Sequence, residues 1–187
     1  MREPLETPRL LLEPWDERRI EDFISLTGDD RVMHYIGRGG VWTRAEAIER
    51  FHAAVDHWRS EAFGWRSVVE KETRQWIGLI ALNRLGPGIS GVEEDEIEVG
   101  WWLVPTAWQR GIATEGAQAA CAEAFVRLGA TRVIARCRPA NRRSLAVMRR
   151  LGMTPWREAV GRYGEELSIH TLDRSVWRRS ASTGRWA

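Results

Sequence analysis

Lysine is almost missing from this sequence: of its 28 Lys and Arg residues, only Lys71 is a lysine. Against 26 Asp and Glu the formal net charge is just +2, which gives no ground for a general attraction to nucleic acid. Long apolar runs are missing too. No stretch reads as a membrane span, and the opening Met-Arg-Glu-Pro-Leu-Glu-Thr-Pro lacks the apolar core of a signal peptide, so the expected address is the cytoplasm. Cysteine is confined to Cys121, on an apolar helical face, and Cys137, at the end of an apolar strand. Neither has the paired spacing of a metal site, and both are expected as reduced core thiols. His52 and His57 do not share a helix face and His170 stands alone, so no metal is expected. Internal repeats and low-complexity linkers are absent.

What is present is globular composition, 43% hydrophobic and 29% charged, in 187 residues. That suits one domain, read here as residues 1–173 with a basic tail over 174–187. Leu10 to Glu13 reads as a first strand. Asp16 starts a helix with Ile20, Phe23 and Ile24 on one face, stopped by Gly28. Asp29 to Ile36 reads as a short irregular helix or loop, and Thr43 as the N-cap of a long helix with Ala47, Phe51, Ala54 and Val55 buried. Gly64 to Glu70 and Gln75 to Asn83 form a hairpin, followed by a Gly- and acid-rich loop from Leu85 to Asp95. Later strands are expected at Arg132 to Cys137, Met153 to Ala159 and Glu165 to Leu172. A helix over Leu145, Met148 and Leu151 is stopped by Gly152, and a short helical turn near Val176-Trp177 precedes a loose end.

The informative stretch is Leu103 to Glu115. Before it, Ile97, Val99, Trp101 and Leu103 alternate as in a strand; after it, Ala117, Ala120, Cys121, Ala124, Phe125 and Leu128 repeat at helical spacing. Between them Pro105 ends the strand, and Gly111 and Ala113 keep the turn free of bulk. The first amides of the new helix have no partner inside it, and the helix dipole favours an anion there; a phosphate pocket and an ordinary capped helix start fit the turn equally well. The arginines Arg110, Arg136, Arg138, Arg142, Arg143, Arg149 and Arg150 gather around this turn and the segment that follows. Some of them suit a highly anionic small molecule, and others are solvated helix charges.

Taken together, Glu98-Val99-Gly100-Trp101-Trp102-Leu103, Trp108-Gln109-Arg110-Gly111-Ile112-Ala113-Thr114-Glu115, and Asn141-Arg142-Arg143-Ser144 with Leu151-Gly152-Met153 resemble the GNAT superfamily of N-acetyltransferases, and within it the RimJ/RimL-like group. The resemblance runs over essentially the whole chain. It implies an α/β (α+β) fold: a mixed, mostly antiparallel sheet of about seven strands flanked by helices, with a central β-α-β crossover. It implies acetyl-CoA as acyl donor, with the amides from Gln109 through Arg110, Gly111, Ile112 and Ala113 to Thr114 cradling the pyrophosphate. Trp108 stands where the superfamily usually has Gln or Arg, a change that main-chain contacts tolerate. Asn141 matches the residue that fixes the pantetheine arm, Arg143 and Ser144 belong to the same cofactor segment, and main-chain groups near Leu103 hold the arm where the strands splay.

Acetyl transfer to an amine needs a docked donor, a deprotonated amine, a stabilised oxyanion and a proton for the thiolate. The resemblance points to the Leu103 amide for the oxyanion and to Glu98 for the base, with Glu96 on the same strand face as a substitute. A strand carboxylate facing solvent, or neutralised by an arginine, is the competing reading. Many GNAT enzymes carry a proton-donating Tyr where this chain has Met148, so Ser144 is the candidate acid or sulfur hydrogen-bond donor. Met33, His34, Tyr35 and Trp101 are expected to wall the acceptor pocket. Most of the 11 Trp are expected to pack the core. The expected activity is acetyl transfer to a primary amine, either a protein N-terminal α-amine or a small molecule. A non-catalytic acyl-CoA-binding module of the same fold is the alternative, and a homodimer is compatible with either.

Overall fold

The computed structural model describes residues 3–85 and 96–182. The acid-rich loop expected up to Asp95 therefore lies, beyond Leu85, outside the described residues. Eight strands form one sheet: β1 (Leu5–Glu6), β2 (Leu10–Pro14), β3 (Arg66–Glu70), β4 (Trp76–Arg84), β5 (Ile97–Leu103), β6 (Arg132–Cys137), β7 (Thr154–Val160) and β8 (Glu166–Asp173). Their spatial order is β1-β2-β3-β4-β5-β6-β8-β7. Among the described strands only β5 and β6 run parallel. Parallel neighbours need a crossover, and the helix α4 (Ile112–Val126) supplies it. The sheet is thus mixed and mostly antiparallel. Its additional strand is β1, two residues that pair with β2 across the Thr7-Pro8-Arg9 turn and are too short to show a period.

The helices follow their caps. Asp16 caps a single 3-10 turn, Glu17–Arg19, that leads into α1 (Ile20–Thr27), and Asp29 caps α2 (Asp30–Met33). Thr43 and Glu46 make a reciprocal capping box at the start of α3 (Arg44–Glu61). After α5 (Arg142–Arg150), the last helix among the described residues is α6 (Arg174–Ser182), longer than the single turn expected near Trp177. Trp177 packs on Phe125 with ring centroids 5.1 Å apart, and Arg174 donates to the carbonyls of Ala130 and Phe125 at 2.8 and 2.7 Å. Tertiary contact, not local propensity, extends this helix.

Strand alternation divides the core into two layers. Ile80 and Leu82 of β4 face α4, whose Ala117, Ala120, Cys121 and Ala124 form a small-residue surface. Leu79 and Ala81 face α1 and α3 and meet Phe23, Leu26, Phe51 and Val55. Gly116 brings α4 close to the sheet: a Cβ there would lie 2.8 Å from Ile80 Cγ1. In the second layer Trp15, Trp65 and Trp102 ring Phe23, with centroids 5.5 to 6.1 Å from it, so these tryptophans fill the core. Between β3 and α4, Arg66 and Glu123 form a salt bridge of 2.6 Å with side chains only 3% and 2% exposed.

Candidate active site

The sheet opens beside β5. The β5–β6 register runs only from Ile97↔Val133 to Glu98↔Ile134, although β5 continues to Leu103 and β6 to Cys137. On the other side of β5, Leu85 N–H donates to Glu96 O at 2.9 Å and Val104 N–H to Ile77 O at 3.0 Å. These two bonds set the phase of the antiparallel β4–β5 ladder, in which adjacent residues alternate between the two sides. The peptide groups of Trp101 and Leu103 therefore point away from β4 into the opening. One of them is used, because the indole N–H of Trp108 donates to Leu103 O at 2.8 Å.

A cleft of about 830 Å³ occupies this opening and runs to the start of α4. At that end the backbone is bent by positive φ at Gln109 (61°) and at the N-cap Gly111 (79°), and Gly111 offers no side chain to cap the helix. The first intrahelical bond is Glu115 N–H to Gly111 O at 3.0 Å, so the amides of Ile112, Ala113 and Thr114 have no intrahelical acceptor. Thr114 Oγ1 is buried here with no hydrogen-bond partner among the described residues. Three free amides, an orphaned hydroxyl and a positive helix end suit an anionic group.

The turn is anchored from the N-terminal segment. Glu115 Oε1 accepts from Thr7 Oγ1 at 2.6 Å and from Arg9 N–H at 2.9 Å, and Arg9 Nη1 donates to Arg110 O at 2.8 Å. Burial pushes the Glu115 carboxyl up, but these hydrogen bonds and the Arg9 charge outweigh it and hold the carboxyl below its usual range.

The cleft brings together Glu98, Leu103, Trp101 and Tyr35 at the sheet opening, Gln109, Gly111, Ile112, Ala113 and Thr114 at the turn, and Asn141, Arg143 and Ser144 on the facing wall. Asn141 caps α5 by accepting from Ser144 N–H at 3.1 Å, a contact that engages its amide oxygen and not its amide hydrogens. Four expected residues lie elsewhere. Met33 is fully buried in the core, and His34 is exposed with its ring edge-on to Tyr35. Arg110, expected for its main-chain amide, is not among the cleft-lining residues, and its side chain pairs with Glu70. Glu96 pairs with Arg132 and borders a separate cavity of about 260 Å³. Met148, at the position that the resemblance gives to a Tyr in many enzymes, is 0% exposed within the α4-side core.

Glu98 sits in the cleft and is also neutralised. Arg136 Nε donates to Glu98 Oε1 at 2.6 Å, with Nη2 to Oε2 at 3.4 Å. Burial pushes the Arg136 guanidinium down, but the charge of Glu98 and the bond to it raise it above its ordinary value. Sequence reasoning placed Arg136 only in a general basic cluster, because its partner depends on the β5–β6 register. Arg31 and Val32, within the segment from Asp29 expected to build the acceptor side, line the cleft together with Ile36, and so does Cys137 at the end of β6, which was expected only as a core thiol. Among the described residues no group of three or more His, Cys, Asp or Glu could hold a metal ion, and no helix is long and apolar enough to cross a membrane.

The site is a splayed parallel pair in a mixed sheet with an anion-ready helix start beside the opening, and sequence comparison gives the family. Residues 9–154 match the acetyltransferase (GNAT) domain. The chain belongs to this family of acetyl-CoA-dependent acyltransferases. It is 29% identical over 149 residues to the uncharacterized N-acetyltransferase YnaD of Bacillus subtilis (strain 168), covering 80% of this chain and 81% of that one. It is 27% identical over 195 residues to the FsC-acetyl coenzyme A-N(2)-transacetylase of Aspergillus fumigatus, covering 97% and 83%. The crystal structure of an acetyltransferase from Agrobacterium tumefaciens str. C58 superposes with a TM-score of 0.78 at 26% identity, over 93% of this chain and 96% of that one. RimL, a ribosomal L7/L12 alpha-N-protein acetyltransferase crystallised with coenzyme A, shares the fold at a TM-score of 0.74 and 16% identity, over 93% and 99%.

Proposed function

We propose that this chain transfers the acetyl group of acetyl-CoA directly to a primary amine, the α-amine of a protein N-terminus or that of a small molecule. The observation that carries the reading is the single cleft that joins an uncapped helix start, with its orphaned Thr114 hydroxyl, to the β5 peptide groups that point away from β4 and to Glu98. The donor supplies an activated thioester. The chain's own residues do the rest. The amides of Ile112, Ala113 and Thr114 hold the pyrophosphate, the Asn141 amide and the main chain of Trp101 and Leu103 hold the pantetheine arm, and the Leu103 N–H polarises the thioester carbonyl.

Glu98 takes the amine proton through Oε2, the oxygen that Arg136 holds only loosely, since a carboxylate oxygen pair offers about four acceptor positions. An α-amine titrates near pH ~8 and needs only a modest base, whereas a lysine amine near ~10.4 needs more. Ser144 hydrogen-bonds the departing sulfur. The acceptor enters past Tyr35 and Trp101. A cytoplasmic address and a homodimer belong to the same proposal; the two free, buried cysteines suit a reducing compartment.

The experiment is release of free coenzyme A thiol from acetyl-CoA against N-terminal peptides, lysine peptides, polyamines and aminoglycosides. Release with one acceptor class above the blank supports the reading and names the acceptor. Acetyl-CoA binding without release from any of them favours a non-catalytic acyl-CoA-binding role.

A further inference from the structure

The two walls of the acceptor side are joined just beyond the cleft. Ile36 is the last residue of the α2 segment to line the cleft and Cys137 the last of β6, and the residue after each makes the junction: Arg138 Nη2 donates to Gly37 O at 2.8 Å. The turn between β7 and β8 lays Tyr163 against the same place, since a Cβ on Gly37 would lie 3.7 Å from Tyr163 Cε2. Two more arginines meet this ring. Arg38 Cζ lies 5.2 Å from its centroid, and Arg50 Nη2 donates to its hydroxyl at 3.4 Å. Arg31 and Arg136, inside the cleft, each have a carboxylate at 2.6 Å, whereas Arg38, Arg50 and Arg138 have none within salt-bridge distance among the described residues. The acids nearby are engaged. Glu46 accepts from Thr43 N–H at 2.8 Å, and this bond comes ahead of the charges of Arg38 and Arg50 in holding its carboxyl below the usual range. Glu165 accepts from Tyr163 N–H at 2.9 Å within its own turn. Arg138 Nε is buried with no hydrogen-bond partner among the described residues, a donor still without an acceptor.

We infer that Arg38, Arg50 and Arg138, gathered around Tyr163, recognise acidic side chains of a peptide acceptor, a few residues downstream of the N-terminal amine that is acetylated. This deepens the proposed acetyl transfer and rests on it. Reach selects a peptide. Arg138 is two residues beyond Arg136, the partner of the base Glu98, so about 7 Å of extended chain separates them. Arg38 and Arg50 are exposed and do not line the cleft. The carboxylates of a free acidic amino acid lie within a few bonds of its amine and fall short of this place. An extended peptide advances about 3.3 Å per residue and brings the side chains of its second to fourth positions there. Guanidinium forks match carboxylates in geometry, and charge pairs at an exposed rim act on partner choice more than on total affinity.

The test is thiol release from acetyl-CoA with matched peptides that share one N-terminal residue and carry either Glu or Gln at positions two to four, and with free glutamate and glutamine. The proteins are the full chain, R38Q/R50Q, R138Q and R178Q; Arg178 is exposed on α6 away from the cleft and controls for loss of surface charge. The expected result is a kcat/KM about fivefold or more higher for the Glu peptide, carried by KM and shrinking toward one at about 0.5 M salt. That ratio should fall to near one in R38Q/R50Q, fall in R138Q and survive in R178Q, while acetyl-CoA affinity and the Gln-peptide rate stay the same in R38Q/R50Q. Free glutamate should be acetylated no faster than free glutamine. Equal rates with the two peptides, a ratio that persists in either arginine variant, or turnover with free glutamate or a non-peptide amine alone overturns the surface and leaves acetyl transfer standing. No release with any acceptor overturns both.

Discussion

Arg136 on β6 holds Glu98 on β5, Nε to Oε1 at 2.6 Å, and it does so two residues beyond Ile134, where the pairing of the two strands ends. The ion pair therefore spans the opening of the cleft. If Glu98 takes the amine proton, Glu98→Gln should lower kcat by about 100-fold or more while the dissociation constant for acetyl-CoA stays within about twofold. Thiol release and calorimetry on the same preparation check this. Equal loss of binding and turnover would make Glu98 a structural partner of Arg136.

Ala113 lies in the cleft at the second residue of α4, beside the orphaned Thr114 hydroxyl. Ala113→Arg fills the space in front of the free amides. Acetyl-CoA affinity should fall by at least about 100-fold with an unchanged melting temperature. Unaltered binding would remove the turn from the cofactor site.

Gly78 faces Leu103 across the β4–β5 ladder with φ +137°, and a Cβ there would collide with the Trp102 carbonyl oxygen and lie 2.8 Å from Leu103 Cα. Gly78→Ala must displace the part of β5 whose peptide groups face the cleft. It should cost about 2 kcal/mol or more of stability and weaken acetyl-CoA binding as well. Urea denaturation and calorimetry read the two effects; stability lost with binding intact would separate Gly78 from the site.

The buried pair of Arg66 and Glu123 sets an acid limit on the fold. Burial pushes the Glu123 carboxyl up, but Arg66 and Arg127 outweigh it and hold it below the usual carboxylate range. The stabilisation is present above the unfolded-state pKa of about 4.3 and is lost as pH falls through the lower folded value. Arg66→Ala leaves the carboxylate without its main partner and should cost about 3–5 kcal/mol at pH 7. Glu123→Gln should flatten the acid slope of stability, measured by urea titration between pH 7 and pH 3.

Burial pushes the Cys121 thiol to about 12 and the Cys137 thiol to about 11. At pH 8 the Cys137 thiolate fraction is then about 0.1%, and that of Cys121 lower. Neither should react with a thiol reagent on the timescale of a turnover assay, although Cys137 borders the cleft, and both should react within minutes in denaturant. A rapid equivalent of reaction in the native protein would contradict the burial.

The parts legible in the sequence are those set by neighbours along the chain. Thr43 as an N-cap, the alternation of Ile97 to Leu103, and the Pro105-to-Ala113 turn each carry their own local physics, and the structure has the capped helix, the strand and the bent helix start at those places. Within β4 the strand period divides the two core layers, with Leu79 and Ala81 facing opposite to Ile80 and Leu82. Partner choice was not legible. Glu96 and Glu98 share a strand face and look equivalent in sequence, yet the β5–β6 register gives Glu96 to Arg132 outside the cleft and Glu98 to Arg136 inside it. Met33 and Tyr35 are two residues apart at the end of α2, and only the packing of α2 against the core sends the first inward and leaves the second on the cleft wall. Periodicity is a property of consecutive residues and can be read from their order. Register, splay and ion-pair partners arise between segments tens of residues apart, and the packed sheet alone decides them.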